Sequence, residues 1–167
     1  MSNIETEYKL IVEKPDIENL SACEGYTESE ILQIYLESPA ATHRVRRRVY
    51  SSGKVEYTEN KKIRISKMSA IEEERVISEE EFFALAEKIE KGAKPLKKIR
   101  RTVKYLGYTY EFDFYEDWKS TCIMEVELPS EDTELVLPPL VRMLKNVTGE
   151  KMYSNHSMAH VFPPEII

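Results

Sequence analysis

Apolar and polar residues alternate one by one along most of the chain, the period of strands that bury one face. IETEYKL (4–10) sets Ile4, Tyr8 and Leu10 against Glu5, Glu7 and Lys9. ILQIYLE (31–37) reads as a strand, and HRVRRRVY (43–50) alternates Arg44, Arg46 and Arg48 with Val45 and Val49, Arg47 being the exception. SSG (51–53) supplies a turn, and KVEYTENKKIRIS returns the chain to complete a long hairpin. On that return Val55, Tyr57, Ile63 and Ile65 share one parity, while Glu56, Thr58, Asn60, Lys62 and Arg64 share the other. IEEERVIS continues as a strand, and LKKIRRTVKYLGYTYEFDFYED forms a second hairpin turning near Gly107. CIMEVELP (122–129) sets Met124, Val126 and Leu128 opposite Glu125 and Glu127.

Helical spacing is rarer. A short helical piece is predicted around PDIENLSAC. Ser78 with Glu81 three residues on makes a capping box, followed by Phe82, Leu85, Ala86 and Ile89 at helical spacing, with Gly92 and Pro95 to stop the helix. SEDTELVLPPLVRMLKNVTGE is predicted mostly helical with a break at Pro138–Pro139, and the tail KMYSNHSMAHVFPPEII irregular. With no repeat, linker or low-complexity tract, residues 1–167 read as one α+β domain, mainly antiparallel.

Composition narrows the class. The chain of 167 residues is 41% apolar and 32% charged, globular but richer in charge than the usual quarter. A net charge of −6 argues against a general binder of nucleic acid or membrane surfaces, and neither partner is expected. Cys23 and Cys122 form no metal or redox spacing and read as reduced thiols. Glu5, Glu7 and Glu13 stand where a signal peptide would be apolar, and no apolar run reaches the length of a membrane span, so the expected location is cytoplasmic.

Charge then changes the picture of the polar faces. Strand by strand they carry Glu5, Glu7 and Lys9; Arg44, Arg46 and Arg48; Lys62 and Arg64; Glu72 and Glu74; Lys98, Arg100 and Lys104; Glu111 and Asp113; Glu125 and Glu127. One such pair is an ordinary solvated face. Here the signs are sorted by strand, where a solvated face would intersperse them, and like charges on alternate positions repel. Curling the sheet with this face inward lets acidic and basic rows meet across a lumen. Arginine forks and lysines suit phosphate oxygens, and clustered carboxylates suit a hard divalent cation. There is no Gly-rich phosphate loop, no nucleophilic Ser or Cys context, and no metal spacing among His43, His156 and His160, which read as surface or tail packing.

ETEYK resembles the Glu-x-Glu-x-Lys signature that opens CYTH domains, the triphosphate tunnel metalloenzymes. In order, ILQIYL, HRVRRRV, EEERVIS, LKKIR, YEFDFYED, MEVELPSED and VTGEKMYSNHSMA are similar to later segments of that superfamily, and the resemblance covers essentially the whole chain. It implies an eight-stranded antiparallel β-barrel, a tunnel with helices packed outside. It implies that Lys9, Arg44, Arg46, Lys98 and Arg100 bind a triphosphate. It implies that Glu5, Glu7, Glu125 and Glu127, with Asp113, hold Mg2+ or Mn2+ and that these carboxylates orient the attacking water, with Glu5, Glu7 and Lys9 as the catalytic row. Two departures stand out: YTENKK places Asn60 where the family carries a lysine, with parity favouring Lys62 over Lys61 as its inward substitute, and Arg48 is an extra inward candidate for the arginine strand.

The expected activity is divalent-metal-dependent hydrolysis of tripolyphosphate or a related triphosphate. The alternatives are a class IV type adenylyl cyclase, a thiamine triphosphatase, for which Trp118 and Tyr115 are the candidate aromatic surface at the tunnel mouth although they read better as outer-face packing, and a non-catalytic polyphosphate- or nucleotide-binding module. No base-recognition segment is evident, which favours a substrate that is only a phosphate chain. The Tyr-rich outer strands leave room for a homodimer.

Overall fold

The computed structural model describes residues 2–166, and the alternating segments become a closed antiparallel barrel. The strands are β1 (Ser2–Glu13), β2 (Thr27–Leu36), β3 (Thr42–Tyr50), β4 (Val55–Arg64), β5 (Ser69–Ile77), β6 (Leu96–Tyr105), β7 (Tyr108–Phe114), β8 (Thr121–Glu127) and the short β9 (Met143–Asn146). The sheet order is β5-β4-β3-β2-β6-β7-β8-β1-β9, and a β5–β1 pairing closes eight strands on themselves. Long β1 makes closure possible. Its first half pairs with β5 (Ile4 opposite Ile71), and its second half pairs with β8 on one edge and β9 on the other. The eight-stranded tunnel expected from the resemblance is therefore present, with a ninth strand taking the edge of β1 that β5 leaves uncovered.

β-Hairpin turns sit where the sequence puts them. Leu106 and Gly107 both have positive φ (51° and 82°), the pair of left-handed residues that a tight turn needs to match strand twist. Helix α1 (Ile17–Ser21) is capped by Asp16, and α2 (Glu79–Ala86) by Ser78, whose hydroxyl accepts from the Glu81 N–H. Glu81 itself reaches Arg75. Ile89 lies beyond α2, in a bridge to Leu36.

Two predicted regions differ. The stretch 130–150 forms no helix; it is a loop with a turn at Pro138–Val141 followed by β9. Consecutive prolines remove two donors and hold the backbone extended, and Leu135, Leu137, Leu140 and Val141 pack over the barrel as a loop. The irregular tail contains a 3₁₀ turn (Lys151–Tyr153) and helix α3 (Asn155–His160), capped by Ser154.

The apolar faces do what burial demands. Outward residues of β1, β6, β7 and β8, among them Leu10, Val12, Phe112 and Met124, form one core with Leu20 of α1. Ile34, Leu36, Val45 and Ile77 form another with Phe82 of α2. A third cluster is of a different kind: Ile11, Tyr35, Leu96, Tyr115 and Ile123 continue the inward parity of the charged rows and pack with Trp118, Val147, Tyr153 and Met158 from the loops and tail. One end of the barrel interior is thus apolar, filled by the tail. Tyr115 and Trp118 belong to this stack and neither lines the charged cavity: both are packing residues, as expected in preference to a mouth role, but in the apolar barrel end and not on its outer face. Outside, Ile4, Ile63, Ile65 and Ile71 stay exposed, so the outward face of β4 and β5 is covered only in part.

Candidate active site

The inward polar rows enclose a cavity of about 630 Å³. Strand parity delivers its walls: β1 contributes Glu5, Glu7 and Lys9, β3 contributes Arg44, Arg46 and Arg48, β4 contributes Asn60 and Lys62, and β8 contributes Glu125 and Glu127. Lys62 lines the cavity and Lys61 is exposed, so the chain turns Lys62 inward as parity favoured. Arg64, Glu72, Glu74, Arg100 and Glu111 also line it, whereas Lys104 is exposed outside it.

Lys98 and Asp113 sit apart from that lining, in a buried layer between the cavity and the apolar stack. Lys98 Nζ lies 2.7 Å from Asp113 Oδ2, and the Arg100 guanidinium donates to both oxygens of Asp113 at 2.7 and 2.8 Å. With both oxygens engaged by cations, Asp113 offsets the positive charge of the floor together with Glu111, which accepts from Arg100 at 2.9 Å. Burial alone would raise its carboxyl, but Arg100 and Lys98 hold it far below the usual range. Burial brings the Lys98 ammonium down to about 7 in spite of Asp113, and Arg100 and Arg46 add to the fall. Asn155 of α3 accepts from Tyr115 at 2.7 Å and from Lys98 at 3.4 Å, tying the tail to this floor.

The cavity walls are less satisfied. Arg46 is held by one neutral acceptor, Gln33 Oε1, at 3.1 and 2.6 Å. Burial, then the positive charges of Arg44 and Arg100, bring its guanidinium down to about 9. Arg44 meets Glu72 and Glu74 only at 3.9 and 3.8 Å, and its Nε is buried without a hydrogen-bond partner. Arg48 donates to Ser29 at 2.8 Å and stacks over Tyr50. An anion in the cavity would supply what Arg44 and Arg46 lack, a charged acceptor for each fork.

The acidic wall has the opposite need. β1 and β8 pair so that Glu7 faces Glu127 and Lys9 faces Glu125. Burial, then Glu125 and Glu5, hold the Glu7 carboxyl well above its usual range in spite of Lys9. Burial, Glu5 and Glu111 push Glu127 up as well. Glu125 goes the other way: burial would raise it, but Lys9, 3.4 Å off, and then Arg100 and Lys98 hold it at about 2 in spite of Asp113. Glu5 Oε2 is buried with no hydrogen-bond partner, its nearest cation being Lys62 at 3.7 Å. Hard oxygen donors crowded at one wall, one of them orphaned, fit a hard divalent cation.

Several contributors are not evident from strand parity alone. Gln33, fully buried among apolar neighbours of β2, is the clamp on Arg46; its only signal was a polar residue, like Ser29, on the inward parity of that strand. The tail supplies Thr148, Lys151, Asn155 and His156 to the lining, and Lys9 Nζ donates to the Tyr153 carbonyl at 3.3 Å. His156 and His160 are not simple tail packing: both reach Glu90.

No protein-family model and no curated protein matches the chain. Solved structures do. The inorganic triphosphatase NE1496 is 26% identical over 96% of this chain and 97% of its own, with a TM-score of 0.59. PH1012 from Pyrococcus horikoshii (19% identity, 77% and 80% coverage, TM-score 0.54) and a putative adenylate cyclase from Bacillus halodurans (16% identity, 78% and 83%, TM-score 0.54) share the fold. No helix among the described residues is long and apolar enough to cross a membrane. Closed antiparallel barrel, charged lumen and end-to-end similarity to a solved inorganic triphosphatase agree: the chain is a protein of the CYTH, or triphosphate tunnel, fold.

Proposed function

We propose that the chain hydrolyses tripolyphosphate, or a triphosphate presented as a bare phosphate chain, with a divalent cation in the tunnel. The observation that carries this reading is the paired deficit of the lumen: Arg46 and Arg44 lack charged acceptors at hydrogen-bond distance, while Glu5 Oε2 is buried without a hydrogen-bond partner and burial beside Glu125 holds the Glu7 carboxyl above its usual range. A polyanion and a hard cation together remove both deficits. The similarity to an inorganic triphosphatase over almost the full length of both chains supports the same class of substrate.

In this reading Arg44, Arg46 and Lys62 grip phosphate oxygens from the cavity wall, with Arg48 and Lys9 flanking them, while Arg100 faces the cavity from the floor with its fork already tied to Asp113 and Glu111. Lys98 acts from the floor by keeping Asp113 and Arg100 in place. Glu5, Glu7, Glu125 and Glu127 would hold Mg2+ or Mn2+, which when bound offsets charge on the phosphate oxygens and activates water. Lys9 fixes Glu125 across the β1–β8 pair, and Gln33 keeps the Arg46 fork oriented. Attack of water on the terminal phosphorus forms one P–O bond and breaks the bridging one, releasing orthophosphate and pyrophosphate.

The test is product release with Mg2+ and then Mn2+, offering tripolyphosphate, ATP and thiamine triphosphate separately. Orthophosphate from tripolyphosphate far faster than from the other two is expected, with a loss of more than about 100-fold in Glu5→Gln. Cyclic AMP and pyrophosphate from ATP would replace the hydrolase with a cyclase. Folded protein inert to all three, or full activity in Glu5→Gln, would overturn the reading.

A further inference from the structure

Beyond the tunnel carboxylates, one cluster brings nitrogen ligands together. His156 and His160 stand four apart on α3, which places both imidazoles on one helix face. Their Nε2 atoms converge on a single oxygen, Glu90 Oε1: His156 at 3.0 Å and His160 in direct hydrogen-bond contact. All three ligand atoms lie within 4.8 Å of one another. A tetrahedral ion with bonds of about 2.0–2.1 Å needs its ligands about 3.3 Å apart, so small side-chain shifts suffice.

We propose that Glu90, His156 and His160 form a second metal site, for a borderline first-row ion of the zinc class, separate from the oxygen-lined site of the tunnel. Donor chemistry sorts the two. Two imidazoles and a carboxylate suit Zn2+, Co2+ or Ni2+, whereas Mg2+ prefers all-oxygen surroundings. Backbone contacts place the ligands independently of any ion. The Glu90 N–H donates to the Tyr35 carbonyl at 2.8 Å, anchoring that residue to β2. The Lys94 N–H donates to the Ala159 carbonyl at 2.8 Å, anchoring the end of α3 to the same loop. Met158 and Ala159 are buried, so α3 is pinned by its other face. Three protein ligands leave a position for water or an external ligand. His156 also lines the tunnel cavity, and α3 carries Asn155, which contacts Lys98 and Tyr115; the second ion would therefore clamp the tail against the tunnel floor.

The experiment uses the full chain without an affinity tag, stripped of metal and held in excess Mg2+ so that hard-oxygen sites are filled. Co2+ is titrated in and followed by its visible ligand-field absorption, then displaced with Zn2+. One Co2+ with a tetrahedral-type spectrum is expected in the parent protein and in Glu5→Gln. His160→Gln and Glu90→Gln should weaken it by more than about 100-fold. Zn2+ should raise the Tm of the parent protein and not that of His160→Gln. Should His160→Gln fail to fold, as its metal-free Tm would reveal, His156→Asn takes its place. A parent protein with no such spectrum, or one retained in the folded histidine variant, would leave a hydrogen-bonded His–Glu–His cap and overturn the site. Loss of the spectrum in Glu5→Gln alone would place the ion in the tunnel and overturn it equally. The outcome is independent of whether the tunnel hydrolyses tripolyphosphate.

Discussion

Two groups of charges in one barrel, a single row apart, are built in opposite ways. On the floor, Lys98, Arg100 and Asp113 are buried and bonded at 2.7–2.8 Å. On the walls, Arg44, Glu5 and Lys62 approach their opposite charges only at 3.7–3.9 Å, and two of their buried polar atoms have no hydrogen-bond partner. A group whose partners are covalently part of the fold contributes to holding the barrel together. A group left short of partners keeps its interaction free energy for something that arrives. The wall side chains are also more open, at 12–23% exposure against 0–8% on the floor, and depth and satisfaction together separate structural charge from binding charge in a lumen where residue type alone does not.

The largest effect should come from breaking the floor. Asp113→Ala leaves the buried Lys98 without its carboxylate and Arg100 with Glu111 alone, a loss of about 3–5 kcal/mol in urea unfolding. A loss below about 1 kcal/mol would mean that solvent or neighbours satisfy Lys98 and Arg100, and the contrast with the walls would fall. Next comes Arg46→Ala on the wall, expected to cost about 1.5–3 kcal/mol in tripolyphosphate binding, roughly 10- to 200-fold in Kd, with little change in stability. Calorimetry that finds unchanged affinity, or urea unfolding that finds the Arg46 variant as damaged as the Asp113 one, would dissolve the distinction.

The smallest effect has a sign worth working out. The Glu7 carboxyl is raised in the folded protein, so the native state keeps its proton to higher pH than the unfolded chain does. Stability is then lost as pH rises from about 4.3, the unfolded value, through the folded value. A glutamine side chain in its place cannot ionise and escapes this loss. In chelator-treated protein Glu7→Gln should raise Tm at pH 7 by up to about 3 °C and leave it unchanged near pH 4. Glu125, held at about 2, has the opposite sign: its contribution is present above the same unfolded value of about 4.3 and fades as pH falls toward 2. A lower Tm for Glu7→Gln at pH 7 would show that the acidic wall is already neutralised from within.

Much of this was legible without coordinates, because strand parity is a strict period of two. Glu5, Glu7, Lys9, Arg44, Arg46, Arg48, Lys62, Glu125 and Glu127 all line the cavity, and each could be placed on the inward face by counting alternate residues. Ser78 and Gly107 marked their cap and turn by chemistry that needs no tertiary partner. What failed was local reasoning about segments stabilised from a distance. Residues 130–150 carry enough helix formers to look helical, yet Pro138 and Pro139 and the open edge of β1 make a loop and a strand instead. The spacing of His156 and His160 carries meaning only once the tail is helical and Glu90, more than sixty residues earlier, is beside it.

The sequence by itself thus determined which side chains share a face, since pleat and parity are local properties of the backbone. It determined the sorting of charge by strand and, through its resemblance, the barrel. Tertiary structure alone decided which of those charges are spent on each other. Lys98 and Asp113 have the same inward parity as Lys9 and Glu125, but only their depth next to the apolar stack, and the register that sets Arg100 opposite Asp113, turn them into a closed ionic knot. Depth and cross-strand register depend on contacts between residues far apart in the chain, and no period along the sequence encodes them.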